Sequence, residues 1–343
     1  MKEKKEQNDK KKITWMLWIS VVTVLLTVLL IIGVFQIYRK SIRPQKDESI
    51  YDRYYMMIVE DRKSDFWQAI YNGAYEAGLE QNVYVDLLGN NLARNFNKYE
   101  LMEIAIYSDV DGIIVEADES YRMTDLINRA VEKGIPVITL YSDNTDSKRC
   151  SYVGIGNYDL GCEYGRQVLG IAGKEPKKVT LLVSANASDS SQNIVWSGIQ
   201  ETIKQENIQN APIELSLFSI DDSNTFTVEE SIRDIFIQQN LPDIIICLNA
   251  VNTACVYQAV IDYNKVGEID ILGYYDTDTI IKGIYRNVIT STITVDTEQM
   301  GRYCVDALTE YEQMGNTNEY FMADITLIDK TNVSDFVRGN TDD

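Results

Sequence analysis

The sequence predicts an α/β fold class: two doubly wound parallel-sheet lobes preceded by one N-terminal transmembrane helix. Three observations predict it. Short strands that are apolar throughout alternate with segments of helical period, the pattern of parallel sheets covered by helices on both faces. The alternation runs twice, with an echo between the halves. "DGIIVE" then "IPVITLYSD" resembles "DIIICLN" then "IDILGYYD"; Glu116 to Tyr141 spans 25 positions and Asn249 to Tyr275 spans 26. The N-terminal region holds an uncharged run, Ile13 to Tyr38.

That run, "ITWMLWISVVTVLLTVLLIIGVFQIY", would make a helix about 39 Å long at ~1.5 Å per residue, enough to cross a bilayer. It is longer than a signal-peptide core and has neither a small-x-small cleavage site nor a nearby cysteine to take a lipid. Lys2, Lys4, Lys5, Lys10, Lys11 and Lys12 precede it, against Arg39, Lys40, Arg43 and Lys46 after it. The bias puts residues 1–12 in the cytoplasm as a basic tail and the acidic body outside. Residues 39–53, with Pro44, read as a linker.

The first lobe opens with the strand "YYMMIVE", after which Ser64 or Asp65 can cap a helix. In that helix Phe66, Ile70, Ala74 and Ala77 recur at helical spacing. The strand "VYVDLLG", a helix near Lys98–Tyr107, the strand "DGIIVEA", a helix "MTDLINRAVEKG" closed by Gly134 and the strand "IPVITL" follow. A very short strand, Ser151 to Ile155, leads away from them. The second lobe reads "KVTLLVS", a helix over Asn193–Lys204, "IELSLFS", a helix over Val228–Gln239, "PDIIICLN", a helix over Thr253–Tyr263, and "IDILGYYD".

Composition removes several function classes. The 343 residues carry 32 basic and 52 acidic side chains; ten basic and three acidic residues precede Asp47, leaving 22 against 49, a net charge of −27. Such a body repels nucleic-acid phosphates and anionic lipid. There is no histidine, which removes Ser-His-Asp and Cys-His nucleophilic sites and nearly all zinc and non-haem iron sites. Five scattered cysteines without a CxxC read as free thiols. "GIGNYDLG" is not GxGxxG, and the pairs Asp109/Asp111, Asp221/Asp222 and Asp276/Asp278 lack the calcium-loop pattern. Solvated charge is the ordinary reading of those pairs, and glycoside hydrolysis the catalytic one. No cofactor and no catalytic residue is expected.

Ligands of such sheets bind beyond the carboxyl ends of the strands. Two facing lobes make a cleft lined by Glu60 to Trp67, Glu116 with Asp118, Tyr141 to Asp143, Asn186 to Asn193, Asn249, and Tyr274 to Asp278. Aromatic faces with acidic and amide groups suit a small neutral polyhydroxylated ligand, rings covering its C–H faces and polar groups taking its hydroxyls. Phe66 lies on the apolar stripe of its helix and Trp67 off it, so Phe66 divides between core and contact.

The segments "DGIIVEADES" and "GIPVITLYSDNTDSKRCSYVGIGNYDLG" resemble the periplasmic binding protein type I family. That family comprises the sugar-binding proteins of ABC importers and the ligand domains of lactose-repressor-type regulators. The resemblance spans roughly Tyr54 to Lys330 and implies three hinge crossings, near Gly154–Asn157, Thr294–Asp296 and Thr326–Asp329. It divides the body into lobe one, 54–156 plus 296–326, and lobe two, 157–295 plus 327–343. Phe66 and Trp67 fall where sugar binders place paired aromatics, Asn249 on the lobe-two asparagine, and Glu116 where ribose-type binders carry an asparagine. The pattern departs at Tyr141 with Ser142, at Val195, at Tyr275 and at Val295, so ribose specificity does not carry over; Asp143, Asp276 and Asp296 could compensate.

The expected ligand-binding set is Phe66, Trp67, Glu116, Tyr141, Asp143, Asn193, Asn249, Tyr275 and Asp276. The expected function is a membrane-anchored, single-pass, extracellular or periplasmic solute-binding protein that holds a sugar-like ligand for ABC-type transport through a membrane permease. The alternative is a ligand-sensing partner of a membrane histidine kinase, and a glycosidase-like enzyme is the remote one.

Overall fold

The computed structural model describes residues 27, 30, 51–92, 94–185, 190–207, 211–237 and 241–337. The chain divides into two units, Met1–Asp52 and Arg53–Asp343. Of the expected anchor only Thr27 and Leu30 are described, both helical; the basic tail and most of the linker also lie outside the described residues. Among the described residues no helix is long and apolar enough to cross a membrane. Among the described residues the fold class is corrected to two parallel-sheet lobes with no transmembrane helix; the expected anchor lies almost wholly outside those residues, and the anchored, single-pass placement is not carried further.

In the body, strands β1 (Arg53–Ile58), β2 (Val83–Leu87), β3 (Gly112–Val115), β4 (Val137–Leu140), β5 (Ser151–Gly154) and β11 (Tyr320–Met322) form one six-stranded sheet. Its order is β2-β1-β3-β4-β5-β11, every pair parallel. Strands β6 (Lys177–Ser184), β7 (Ile213–Ile220), β8 (Ile244–Ile246), β9 (Asp270–Tyr274), β10 (Ser291–Val295) and β12 (Ile325–Asp329) form the second, in the matching order β7-β6-β8-β9-β10-β12. Only the edge strand differs: β12 runs antiparallel to β10. The central strands β3, β4 and β8 are buried on both faces, which is why their sequences are unbroken apolar runs.

Helices α1 (Asp65–Glu80), α2 (Lys98–Ile106) and α3 (Tyr121–Glu132) cover the first sheet. Helices α4 (Asn157–Ile171), α5 (Ser191–Glu206), α6 (Thr225–Ile237), α7 (Ala250–Asp262) and α8 (Asp278–Tyr285) serve the second. Helix α9 (Thr297–Met314) returns to pack on α1. Local chemistry sets the starts. Ser64 caps α1 through a hydrogen bond from Trp67 N, and Asn97 with Glu100 forms a capping box on α2. Helices α5, α6 and α7 begin two or three residues before the apolar period that marks them. Periodicity registers where burial starts, and caps register where the helix starts.

Each lobe has one helix pair in very close contact. A Cβ on Gly73 would meet Glu298 O at 2.5 Å, and one on Gly301 would run into Ile70 O and Ala74 N. In lobe two a Cβ on Gly198 would meet Tyr158 O at 2.5 Å and Gly161 Cα at 3.0 Å. The two pairs, α1·α9 and α4·α5, each join a sheet to a helix that follows a crossing. The inner apolar layers of both lobes merge there into one cluster, from Ile70 and Met300 through Leu160 to Val195 and Ile199. The chain crosses between lobes after β5, after β10, and at Ala323–Asp324 between β11 and β12. The last of these precedes the expected 326–329, because β12 belongs wholly to the second sheet.

Candidate functional site

A cavity of about 900 Å³ lies beyond the carboxyl ends of both sheets. Lobe one contributes Glu60, Trp67, Glu116, Asp118 and Tyr141; lobe two contributes Gln192, Asp222, Asn249, Asn252 and Tyr274; Asn157 and Leu160 come from the start of α4, just past the first crossing. Both walls are built the same way, from strand ends, the loops after them and the first turns of the helices that follow.

The lobe-one wall is ionic. Lys98 Nζ, on the first turn of α2, lies 2.9 Å from Asp118 Oδ2 and 3.8 Å from Glu60 Oε2. Asp118 is 4 % exposed and also accepts from Tyr99 Oη at 2.9 Å and Ser120 N at 3.0 Å. Burial opposes its charge, but the Ser120 and Lys98 hydrogen bonds prevail and hold it below the usual carboxylate range. Burial likewise opposes the Lys98 charge, and the carboxylates of Asp118, Glu116 and Glu60 outweigh it, leaving that ammonium more basic than usual. Glu116 goes the other way. Burial pushes its carboxyl up to about 6, although the Glu60 N–H (2.7 Å) and Lys98 favour the anion.

Four rings close one end of the cavity. Phe66 packs edge-to-face on Trp67 (5.2 Å between centroids), on Tyr141 (5.1 Å) and, across the lobes, on Tyr275 (5.1 Å). Trp67 and Tyr141 line the cleft cavity. Phe66 and Tyr275 line a second cavity of about 1010 Å³ on the far side of the rings, a more apolar groove along α6 and α7. The cleft cavity, although the smaller of the two, holds the convergent polar groups that a ligand site needs. Tyr141 and Tyr275 occupy equivalent places. Each follows the fourth strand of its sheet at positive φ, 66° and 72°. Each backbone N–H donates to the next strand at 2.8 Å, to Val153 O and Ile293 O respectively. A bulky residue in that region costs about 1–3 kcal/mol, and such strain concentrates at functional sites.

The lobes also touch at a clasp. Glu119 Oε1, from the loop after β3, accepts from Ser190 N and Ser190 Oγ, each at 3.0 Å.

Of the nine expected site residues, Trp67, Glu116, Tyr141 and Asn249 line the cleft cavity. Asn249 also caps α7, accepting from Asn252 N at 2.7 Å. Phe66 and Tyr275 stand behind the rings, in the groove. The remaining three line neither cavity. Asp143 pairs with two Arg149 nitrogens, Nε at 2.5 Å and Nη2 at 2.6 Å, and accepts from Thr139 Oγ1 at 2.7 Å. Asn193 is exposed on α5, whose Gln192 faces the cavity instead. Asp276 accepts from Thr294 Oγ1 at 2.9 Å.

Lys98 and Asp222 were not among the expected residues. Asp222 follows the edge strand β7, whose end was not among the expected cleft positions, and Lys98 opens α2, eleven residues past the end of the other edge strand, β2. The strand-end rule applied to β7 would have found Asp222; Lys98, brought in by a helix, lies beyond that rule.

The sequence profile of a family described as periplasmic binding protein domain matches residues 55–317. No curated protein matches the chain. Among solved structures, one from a XylFII–LytSN complex aligns with TM-score 0.70 at 25% identity, over 81% of this chain and 98% of its own. GanP, a glucose-galactose binding protein from Geobacillus stearothermophilus, aligns with TM-score 0.72 at 21% identity, over 81% of this chain and 98% of its own. A sugar-binding protein of a sugar ABC transporter from Bacillus halodurans aligns with TM-score 0.71 at 22% identity, over 82% and 99%.

Proposed function

The chain belongs to the periplasmic binding protein domain family, and from that premise we propose that its body binds a small sugar-like ligand between the lobes for ABC-type transport. It is a binding protein and not an enzyme. The observation that carries the reading is the cleft cavity itself, with rings of Trp67 and Tyr141 beside Glu116, Asp118, Gln192 and Asn249. Aromatic faces take the C–H surface of a sugar, and fixed carboxylates and amides take its hydroxyls. Closing the lobes on the ligand gives a shape that a permease can read.

A second reading has one specific support. The likeness to XylFII in its complex with LytSN favours a chain that reports ligand to a sensor protein, such as a membrane histidine kinase. The discriminating experiment is crosslinking of the ligand-loaded chain in its native cells, with a permease or a kinase as the captured partner.

Binding itself is tested by thermal unfolding of the full chain against pentoses, hexoses, inositols and amino sugars. A true ligand at ~100 times its Kd raises stability by about 2.7 kcal/mol. Trp67→Ala should abolish most of that shift while the domain still unfolds cooperatively. A panel without a single stabiliser would sink the proposal.

A further inference from the structure

The charges lining the cleft do not balance. Glu60, Asp61, Glu116, Asp118 and Asp222 face it, and among the described lysines and arginines only Lys98 does. That ammonium is already engaged, 2.9 Å from Asp118 and further from Glu60. Asp118 already takes donors from Lys98, Tyr99 and Ser120. Glu116 takes one donor, the Glu60 N–H, and Glu60 stands at the rim beside it.

On the facing wall there is an independent sign. Asn252 is 1 % exposed, lines the same cavity, and its Oδ1 has no hydrogen-bond partner among the described residues. A buried acceptor left so costs free energy unless the occupant of the cavity brings a donor. Both walls thus ask for donors, and one asks for positive charge. Closing the lobes excludes water and strengthens that demand. The same rings that cover a sugar's C–H face attract a cation over theirs. The acidic body steers cations toward the cleft.

We propose that the ligand is a cationic saccharide, an amino sugar or aminocyclitol, whose ammonium lies against Glu60 and Glu116 while another donor reaches Asn252 Oδ1. The inference rests on the binding reading above and narrows its ligand class.

Calorimetric titration of the full chain at pH 7 and low salt tests it, with glucosamine, galactosamine and mannosamine set against their parent sugars and N-acetyl derivatives. One amino sugar is expected to bind at least about tenfold tighter than both of its neutral relatives. Glu116→Gln should remove most of that preference and Asn252→Leu should weaken all three. Circular dichroism identifies any variant that fails to fold, and Glu60→Gln at the rim then replaces it. A parent sugar that binds as tightly as its amine overturns the inference and leaves the sugar-binding reading standing. A preference that survives in both Glu116→Gln and Glu60→Gln also overturns it. Binding of no saccharide of either kind overturns both.

Discussion

Glu116 gathers most of the site's electrostatics into one side chain. Its carboxyl is raised from 4.5 to about 6 because burial outweighs the Glu60 N–H and the Lys98 ammonium. A raised folded value means that the folded state holds the proton more tightly than the unfolded one. The associated stability is present below about pH 4.5 and is lost as pH rises through 6, on the order of 2 kcal/mol in all. Glu116→Gln should therefore melt higher than the parent at pH 8 and match it near pH 4, in calorimetric scans across that range. The residue was legible as a polar group ending a very apolar strand; its environment was not, because Lys98 arrives from another element 18 positions away in sequence. Asp143 is the opposite lesson. It follows a strand end as the site rule asks, but its partner Arg149, six residues on, holds it within lobe one. A strand-end rule gives a side chain's address and not its bonds.

Elements carry the next set of consequences. Asn249 both faces the cavity and caps α7, so its loss has two effects that a cap-preserving change separates. Asn249→Ala should lower stability by about 1 kcal/mol, and Asn249→Ser should keep most of it, since serine caps nearly as well. Denaturant unfolding of the two variants reads the difference. The tight helix pair α1·α9 is less forgiving. Gly301 has backbone of α1 where a methyl group would sit, so Gly301→Ala must push the helices apart. The expected cost is about 1–3 kcal/mol, measured by the same unfolding curves. Glycine spacing within helices was visible in the sequence, but which helices meet there depends on the crossings. The covered parallel sheets were better served. Buried strands of four residues, such as β3 and β4, are apolar on both faces only in the interior of a covered sheet.

At the scale of the whole molecule, two lobes meet through three crossings, a ring contact and the Glu119–Ser190 clasp. The clasp is exposed and modest, so it biases the lobe angle without fixing it. Glu119→Ala should raise the radius of gyration in X-ray scattering and leave the melting temperature within a degree or two. An unchanged scattering curve would show that the rings and crossings alone hold the angle. The paired lobes were readable from repetition and from the family resemblance, whereas the N-terminal anchor, read from an uncharged run and its basic flanks, lies almost wholly outside the described residues. The ring contact has a kinetic meaning. Phe66 on one lobe and Tyr275 on the other form the partition between the cleft and the apolar groove along α6 and α7. If the lobes part, that partition parts with them, and the ligand gains a side door as well as the mouth. Residence time is then governed by two aromatic rings that need not touch the ligand, and stopped-flow measurement on Tyr275→Ala should find departure and arrival accelerated by the same factor, with the affinity unchanged.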